Sequence, residues 1–307
     1  MHGRVKPTRE LALYTERING LILSGHVSPA SDRPVLHFIH GTGFCGLTYW
    51  PFLSHFANDF DLFLHDVQGH GESQSHQRFV GWNKSADNAL ALMDAKAPYF
   101  KKRPVIGLAH SFGAAVTMLM ASRVPGRFDG LILMEPVLFS AKQLRLMGLL
   151  RMFRLIGQNP MARKARRRTQ TWSNRTAAWD YLHQRGIFRG WDDASLAAYI
   201  DHALAQDEDG RLSLKCPAWL ESQLFSTYPA GLWRHVKALK VPTILIRGDR
   251  GYSTLMENAT RAADLNPNIQ VRTIRGGHCF MQEAPTEAAA TVNGLLEHLL
   301  TKTVGVG

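Results

Sequence analysis

The chain of 307 residues is poor in cysteine, has no long apolar run and is short of acidic side chains. Its three cysteines, Cys45, Cys216 and Cys279, are odd in number and far apart. That excludes a disulfide framework or a CxxC metal pair and suits a reducing compartment. A membrane span needs about 18 consecutive apolar residues, and no such stretch occurs. Residues 1–30 lack the unbroken apolar segment of a secretory signal. A cytoplasmic location without stable membrane insertion is therefore expected. HExxH and GxxxxGK[ST] are absent, so no metal or other cofactor is expected. Internal repeats and low-complexity tracts are also missing.

Acidic residues number 25 against 36 Lys and Arg, a net charge of +11. The imbalance is local, because residues 141–240 hold 17 Lys/Arg and 8 Asp/Glu. A basic patch suits an anionic partner, whether nucleic acid, lipid or an acidic substrate. No nucleic-acid motif accompanies it, so the reading favoured is a solvated surface. At 45% hydrophobic and 20% charged residues, the composition is that of a globular protein. The length accommodates a large core plus an insert, and the sequence leaves the oligomeric state open.

Short apolar runs bounded by glycine predict buried strands at Leu21–Val27, Val35–Ile39, Phe60–His65, Pro104–Ala109, Gly130–Met134, Thr243–Arg247 and Gln270–Ile274. Helical segments at Ser85–Ala95, 111–124, Asn258–Asp264 and Thr286–Leu300 lie between or after them. This alternation predicts an α/β fold with a mostly parallel central sheet and helices on both faces. The alternation stops between Val137 and Lys240, where only helices are predicted. In one of these, Leu146, Leu149, Leu150, Phe153 and Ile156 share a face, with Lys142, Arg151 and Arg154 elsewhere. The expected organisation is a core of 1–136 plus 241–307, with 137–240 inserted as a helical lid. Such a lid would cover the carboxyl ends of the strands, where ligands bind parallel sheets.

Ala109-His110-Ser111-Phe112-Gly113 sits between a buried strand and a helix. A serine on so sharp a turn needs small residues two before and two after it, whose side chains would otherwise collide. A serine hydroxyl also needs a base to act as a nucleophile. His278, late in the chain in Gly276-Gly277-His278, has the position for that base. His40-Gly41-Thr42-Gly43 follows an early strand. Its Thr42 N–H, with the N–H of Phe112, would hold a developing oxyanion. Asp66-Val67-Gln68-Gly69-His70-Gly71-Glu72-Ser73 reads as a structural turn in which Asp66 and Ser73 bond local N–H groups.

Taken in order, these segments resemble the α/β-hydrolase family with a helical cap over residues 35–136 and 240–300. The resemblance implies a serine hydrolase with a Ser-His-acid triad that cleaves an ester-type bond of a small-molecule acyl substrate through an acyl-serine. Acyl transfer, C–C bond hydrolysis, or a ligand-binding protein with a silent triad are the alternatives. The family commonly places its acid as G-x-x-D after the strand that here ends in Gly248, but Gly251 and Tyr252 occupy that place. Asp249 arrives early. The chain is similar to haloalkane dehalogenases around Met134-Glu135-Pro136, which points to Glu135. Glu135 is preferred over Asp249 as the acid. Trp172, Trp179, Trp191, Trp219 and Trp233 are expected to line an apolar pocket or to pack the lid itself.

Overall fold

The computed structural model describes residues 11–153 and 155–304, and Arg154 therefore lies outside the described residues. Eight strands form the main sheet: β1 (Ala12–Ile18), β2 (Leu21–Val27), β3 (Val35–Ile39), β4 (Asp61–Asp66), β5 (Val105–His110), β6 (Gly130–Met134), β10 (Thr243–Gly248) and β11 (Ile269–Ile274). Their order is β1-β2-β4-β3-β5-β6-β10-β11. From β4 to β11 every neighbouring pair is parallel, whereas β1 and β2 are antiparallel additions at one edge. All residues of β3, β5 and β6 are buried, as expected for strands covered on both faces.

Helices cover the two faces: α1 (Trp50–Leu53), α2 (Trp82–Ala95), α3 (Ala97–Phe100), α4 (Ser111–Arg123), α5 (Ala141–Met152), α6 (Pro160–Arg166), α7 (Arg175–Leu182), α8 (Asp193–Ala203), α9 (Ala218–Phe225), α10 (Leu232–Ala238), α11 (Ser253–Leu265), α12 (Phe280–Glu283) and α13 (Pro285–Val304). The period-2 geometry of a strand divides the apolar residues between them. Val105, Ala109, Leu131 and Leu133 pack with α2, α4, α10 and α11. Ile106, Leu108, Ile132 and Met134 face the opposite way, toward α1, α12 and α13.

The structure corrects three expectations. First, β1 was missed, although Asn19-Gly20 gives its hairpin the φ values of 49° and 82° that a two-residue primed turn needs. Second, the 137–240 stretch is not purely helical. It contains a three-stranded antiparallel sheet of β7 (Thr171–Trp172), β9 (Leu212–Leu214) and β8 (Leu204–Gln206). These strands are too short to show a period. Third, α5 buries none of its residues, and Leu146 and Leu149, on the face expected to pack, are more than half exposed. Among the described residues, no helix is long and apolar enough to cross a membrane.

Candidate active site

The parallel strands deliver the motif residues to one edge of the sheet. β5 ends at His110, and the chain turns at Ser111 directly into α4. Ser111 stands at φ 53°, a left-handed conformation that costs a non-glycine residue roughly 1–3 kcal/mol. A Cβ on Gly113 would lie 2.3 Å from the Ile39 carbonyl oxygen and 2.5 Å from that of His40. The small residue at 113 is thus demanded by the backbone that leaves β3.

Glu135 immediately follows β6, is itself at φ 47° and is buried. Its Oε1 accepts the Gly248 N–H at 2.7 Å, and its Oε2 lies 3.0 Å from His278 Nδ1. The other ring nitrogen, Nε2, is 3.0 Å from Ser111 Oγ. With an ionised carboxylate, which only accepts, the Nδ1 of His278 carries the proton and Nε2 is left to take one from the serine hydroxyl. A buried carboxylate without partners would be costly, and both oxygens of this one are bonded.

Asp249, the other expected acid, is not part of this line. Its half-exposed side chain accepts the Gly276 N–H at 2.8 Å and so ties down the loop before His278. The ring nitrogen it would have served is taken by Glu135. Gly251, where the usual family acid would stand, is bare for a visible reason. A Cβ there would come within 2.7 Å of Glu135 Oε1.

In the loop after β3, the Gly41 N–H bonds to Tyr49 Oη at 3.0 Å and the Gly43 N–H to His70 Nε2 at 3.0 Å. The Phe44 N–H turns back to the Gly41 carbonyl at 3.3 Å. Thr42 is the residue of this loop whose N–H is not spent on these bonds. Phe112, second in α4, carries one of the first-turn N–H groups that have no acceptor within their own helix. Gly41, Gly43 and Gly46 also fall at the GxGxxG spacing of dinucleotide loops. Gly46, however, opens only a four-residue 3-10 helix, not the long helix such a phosphate requires.

Two residues that the sequence reasoning passed over join the halves of this site. Tyr49 Oη is 2.7 Å from His110 Nδ1, and His110 Nε2 is 2.8 Å from the His278 carbonyl. Since a carbonyl only accepts, Nε2 of His110 bears the proton, and Nδ1 accepts from Tyr49. Burial, reinforced by the neighbouring His278, drives the His110 pKa well below its usual value, so the ring remains neutral. The Gly41 loop and the His278 loop are thereby held in one hydrogen-bonded line. Its signal was in plain view, because His110 directly precedes Ser111.

The D-x-x-G-H-G-x-S segment is a turn, as expected. Asp66 accepts the Gly46 N–H at 2.7 Å, and Ser73 Oγ donates to the Asp66 carbonyl at 2.6 Å. Burial raises the Asp66 carboxyl to about 7.

Ser111 and His278 open onto a cavity of about 260 Å³. Its wall includes Trp82, Leu138, Phe139, Leu224, Phe225 and Leu255, and among the described residues no Lys, Arg, Asp or Glu. Of the two readings of Trp172, Trp179, Trp191, Trp219 and Trp233, pocket wall or lid packing, the first does not hold, because none of the five lines the cavity. Trp172 and Trp191 pack against Tyr181, Phe188 and Tyr199 beneath the surface, and Trp233 donates to the Phe139 carbonyl. The aromatic cap residues have their own core to fill.

A serine on a strained strand-to-helix turn, a histidine after the last strand and a buried carboxylate define an α/β-hydrolase arrangement, and comparison with known proteins agrees. The profile of the alpha/beta hydrolase family matches residues 38–292, and the chain belongs to that family. Relatives include lipases: human monoglyceride lipase is 31% identical over 83 residues, covering 27% of each chain. The mouse monoglyceride lipase is 29% identical over 117 residues, 36% of this chain and 38% of that one. The match thus spans well under half the length of these relatives. Solved structures share the fold over nearly the whole chain. E-2-(acetamidomethylene)succinate hydrolase has a TM-score of 0.76 at 16% identity, covering 94% of this chain and 100% of that one. The peroxisomal alpha-beta-hydrolase Lpx1 of Saccharomyces cerevisiae has a TM-score of 0.74 at 18% identity, covering 96% and 90%. An esterase of M. tuberculosis has a TM-score of 0.68 at 17% identity, covering 94% and 92%.

Proposed function

We propose that the protein hydrolyses an ester-type bond of a neutral, apolar acyl substrate through an acyl-serine. The observation that carries this reading is the unbroken line from Ser111 Oγ through His278 to Glu135, opening on an apolar cavity. Ser111 attacks the substrate carbonyl while His278 Nε2 takes its proton. Glu135 fixes the ring tautomer and stabilises the imidazolium. The N–H groups of Thr42 and Phe112 receive the oxyanion, each such donor contributing about 2.7–4 kcal/mol in the transition state. Collapse expels the alcohol, which takes the proton from His278. Water, deprotonated by the same ring, then releases the acid and restores Ser111.

The segment 137–240 acts as a lid in this reading, since Val137, Leu138, Phe139, Met161, Ile187 and Leu224 all border the cavity. The wall chemistry narrows the substrate. A carboxylate buried there would meet no cation, at a cost of several kcal/mol. A succinate-type substrate, as in the name of E-2-(acetamidomethylene)succinate hydrolase, does not suit this pocket. The test is turnover of p-nitrophenyl butyrate beside the p-nitrophenyl monoester of succinic acid. Preference for the butyrate, lost in Ser111→Ala, supports the proposal. Equal turnover of both, or turnover that survives in Ser111→Ala, contradicts it. Release of free butyric acid distinguishes hydrolysis from transfer to another acceptor.

A further inference from the structure

Helix α5 carries an apolar stripe that is left more than half exposed. Leu146, Leu149 and Phe153 recur at i, i+3 and i+7, the spacing by which a helix normally faces a core. Here their exposures are 57%, 52% and 64%. Helix α5 also reaches the cavity through Gln143, and further exposed apolar side chains stand at that cavity's wall. Met161, Ile187 and Tyr252 border the cavity and are also 56%, 44% and 55% exposed. Large apolar side chains left exposed in this number on one segment of a folded chain mark an interaction site.

The charge around the stripe says what covers it. Residues 136–179 contain ten Lys and Arg and no Asp or Glu. Lys142, Arg145 and Arg151 on α5, with Arg163, Lys164 and Arg167 on or just after α6, are exposed. Among the described residues the ion pairs in this stretch are those of Arg168 with Glu221 and Arg175 with Asp201, so the six exposed cations have no acidic partner there. A second copy docking through the same patch would set these cations against their equals. An anionic lipid surface satisfies both features at once, with acyl chains for the leucines and phenylalanine and headgroups for the cations.

We propose that the α5–α6 face is a peripheral docking surface for anionic lipid, lying flat at the interface and spanning nothing. Docking there sets the cavity entrance against the lipid, so that an acyl substrate would pass from bilayer to Ser111 without crossing water. That last step rests on the hydrolase reading, whereas the docking does not.

The experiment is co-sedimentation of the full-length Ser111→Ala protein with vesicles of phosphatidylcholine alone or with phosphatidylglycerol added. Turnover of a soluble short ester by Ser111-containing protein is measured separately, so failure of the chemistry and failure of the docking are distinct results. Binding is expected to require phosphatidylglycerol and to weaken in high salt. Arg163→Glu/Lys164→Glu should bind at least tenfold more weakly, at about 1 kcal/mol for each cation near the surface. Leu146→Ser/Leu149→Ser/Phe153→Ser should lose binding by a similar factor while keeping soluble-ester turnover, because these side chains border neither the cavity nor the core. Absence of binding to phosphatidylglycerol vesicles overturns the proposal. So does wild-type binding by both variants, or a dimer that the triple variant dissolves.

Discussion

Replacing Gly251 with alanine adds one methyl group and removes no group that takes part in the proposed chemistry. Its Cβ would stand 2.7 Å from Glu135 Oε1, 3.0 Å from Oε2 and 3.1 Å from Cδ. An ordinary contact needs about 0.7 Å more, so the carboxylate must move. It has little room, being buried and bonded to the Gly248 N–H and to His278 Nδ1 at 2.7 and 3.0 Å. Gly251 is not at positive φ, so alanine itself is not strained by the backbone. Misaligning one hydrogen bond to a charged group is worth about 1.5–3 kcal/mol. If that loss falls on the transition state, kcat drops by roughly 10- to 150-fold. KM should change little, because Gly251 does not border the acyl cavity. The assay is steady-state hydrolysis of p-nitrophenyl butyrate beside a thermal melt that confirms folding. A folded Gly251→Ala protein with wild-type kcat would refute the reasoning, for Glu135 would then not be the group that orients His278.

Other substitutions and conditions probe the same site. Glu135→Gln should reduce kcat by about 10⁴-fold, because a carboxamide can hold the wrong ring tautomer. Asp249→Asn, at a side chain that bonds the Gly276 N–H and lies beside Arg250, should stay within several-fold of wild type in the same ester assay. Tyr49→Phe breaks the line from Gly41 to His110 and should lower kcat by about tenfold, the value of one neutral hydrogen bond near 1.4 kcal/mol, without abolishing labelling of Ser111. Acid should unfold the protein between about pH 6.5 and 4. Burial lowers the folded-state pKa of His65 and His70 to about 4, so their neutral forms favour the fold above 6.5 and that stability is lost as pH falls toward 4. Each is worth up to about 3 kcal/mol, and His37 and His40 are shifted in the same direction by burial. Asp66, raised to about 7, acts in the opposite sense and offsets about one of these histidines. Denaturant midpoints measured from pH 7.5 to 4.5 give the slope, and a flat profile would contradict it.

Much of this was legible in the residues. The buried strands declared themselves because a strand covered on both faces must be apolar throughout, as Val35–Ile39 and Gly130–Met134 are. Ser111, His278 and Thr42 drew attention by their places after strands, and the fold brings Ser111 and His278 within hydrogen-bond distance. The preference for Glu135 over Asp249 comes from the resemblance to haloalkane dehalogenases around Met134-Glu135-Pro136, and of these two carboxylates it is Glu135 that bonds the ring. Other features depend on contacts that no local pattern encodes. The period in Leu146–Phe153 identifies an apolar face but not what lies against it, and among the described residues nothing buries that face. Tryptophans at 172 and 191 read equally well as pocket wall or as packing, and only the tertiary fold decides. The bond from His110 to the His278 carbonyl joins residues 168 apart in the sequence. The emptiness of Gly251 acquires meaning only once Glu135 is seen beside it.

The central claim is that Ser111 is a nucleophile activated by His278. Incubation with a fluorophosphonate followed by peptide mass mapping tests it most directly. A single phosphonyl adduct on the peptide containing Ser111, absent in Ser111→Ala and strongly slowed in His278→Ala, is predicted. A folded protein that remains unlabelled, or that carries its adduct on another residue, would contradict the claim.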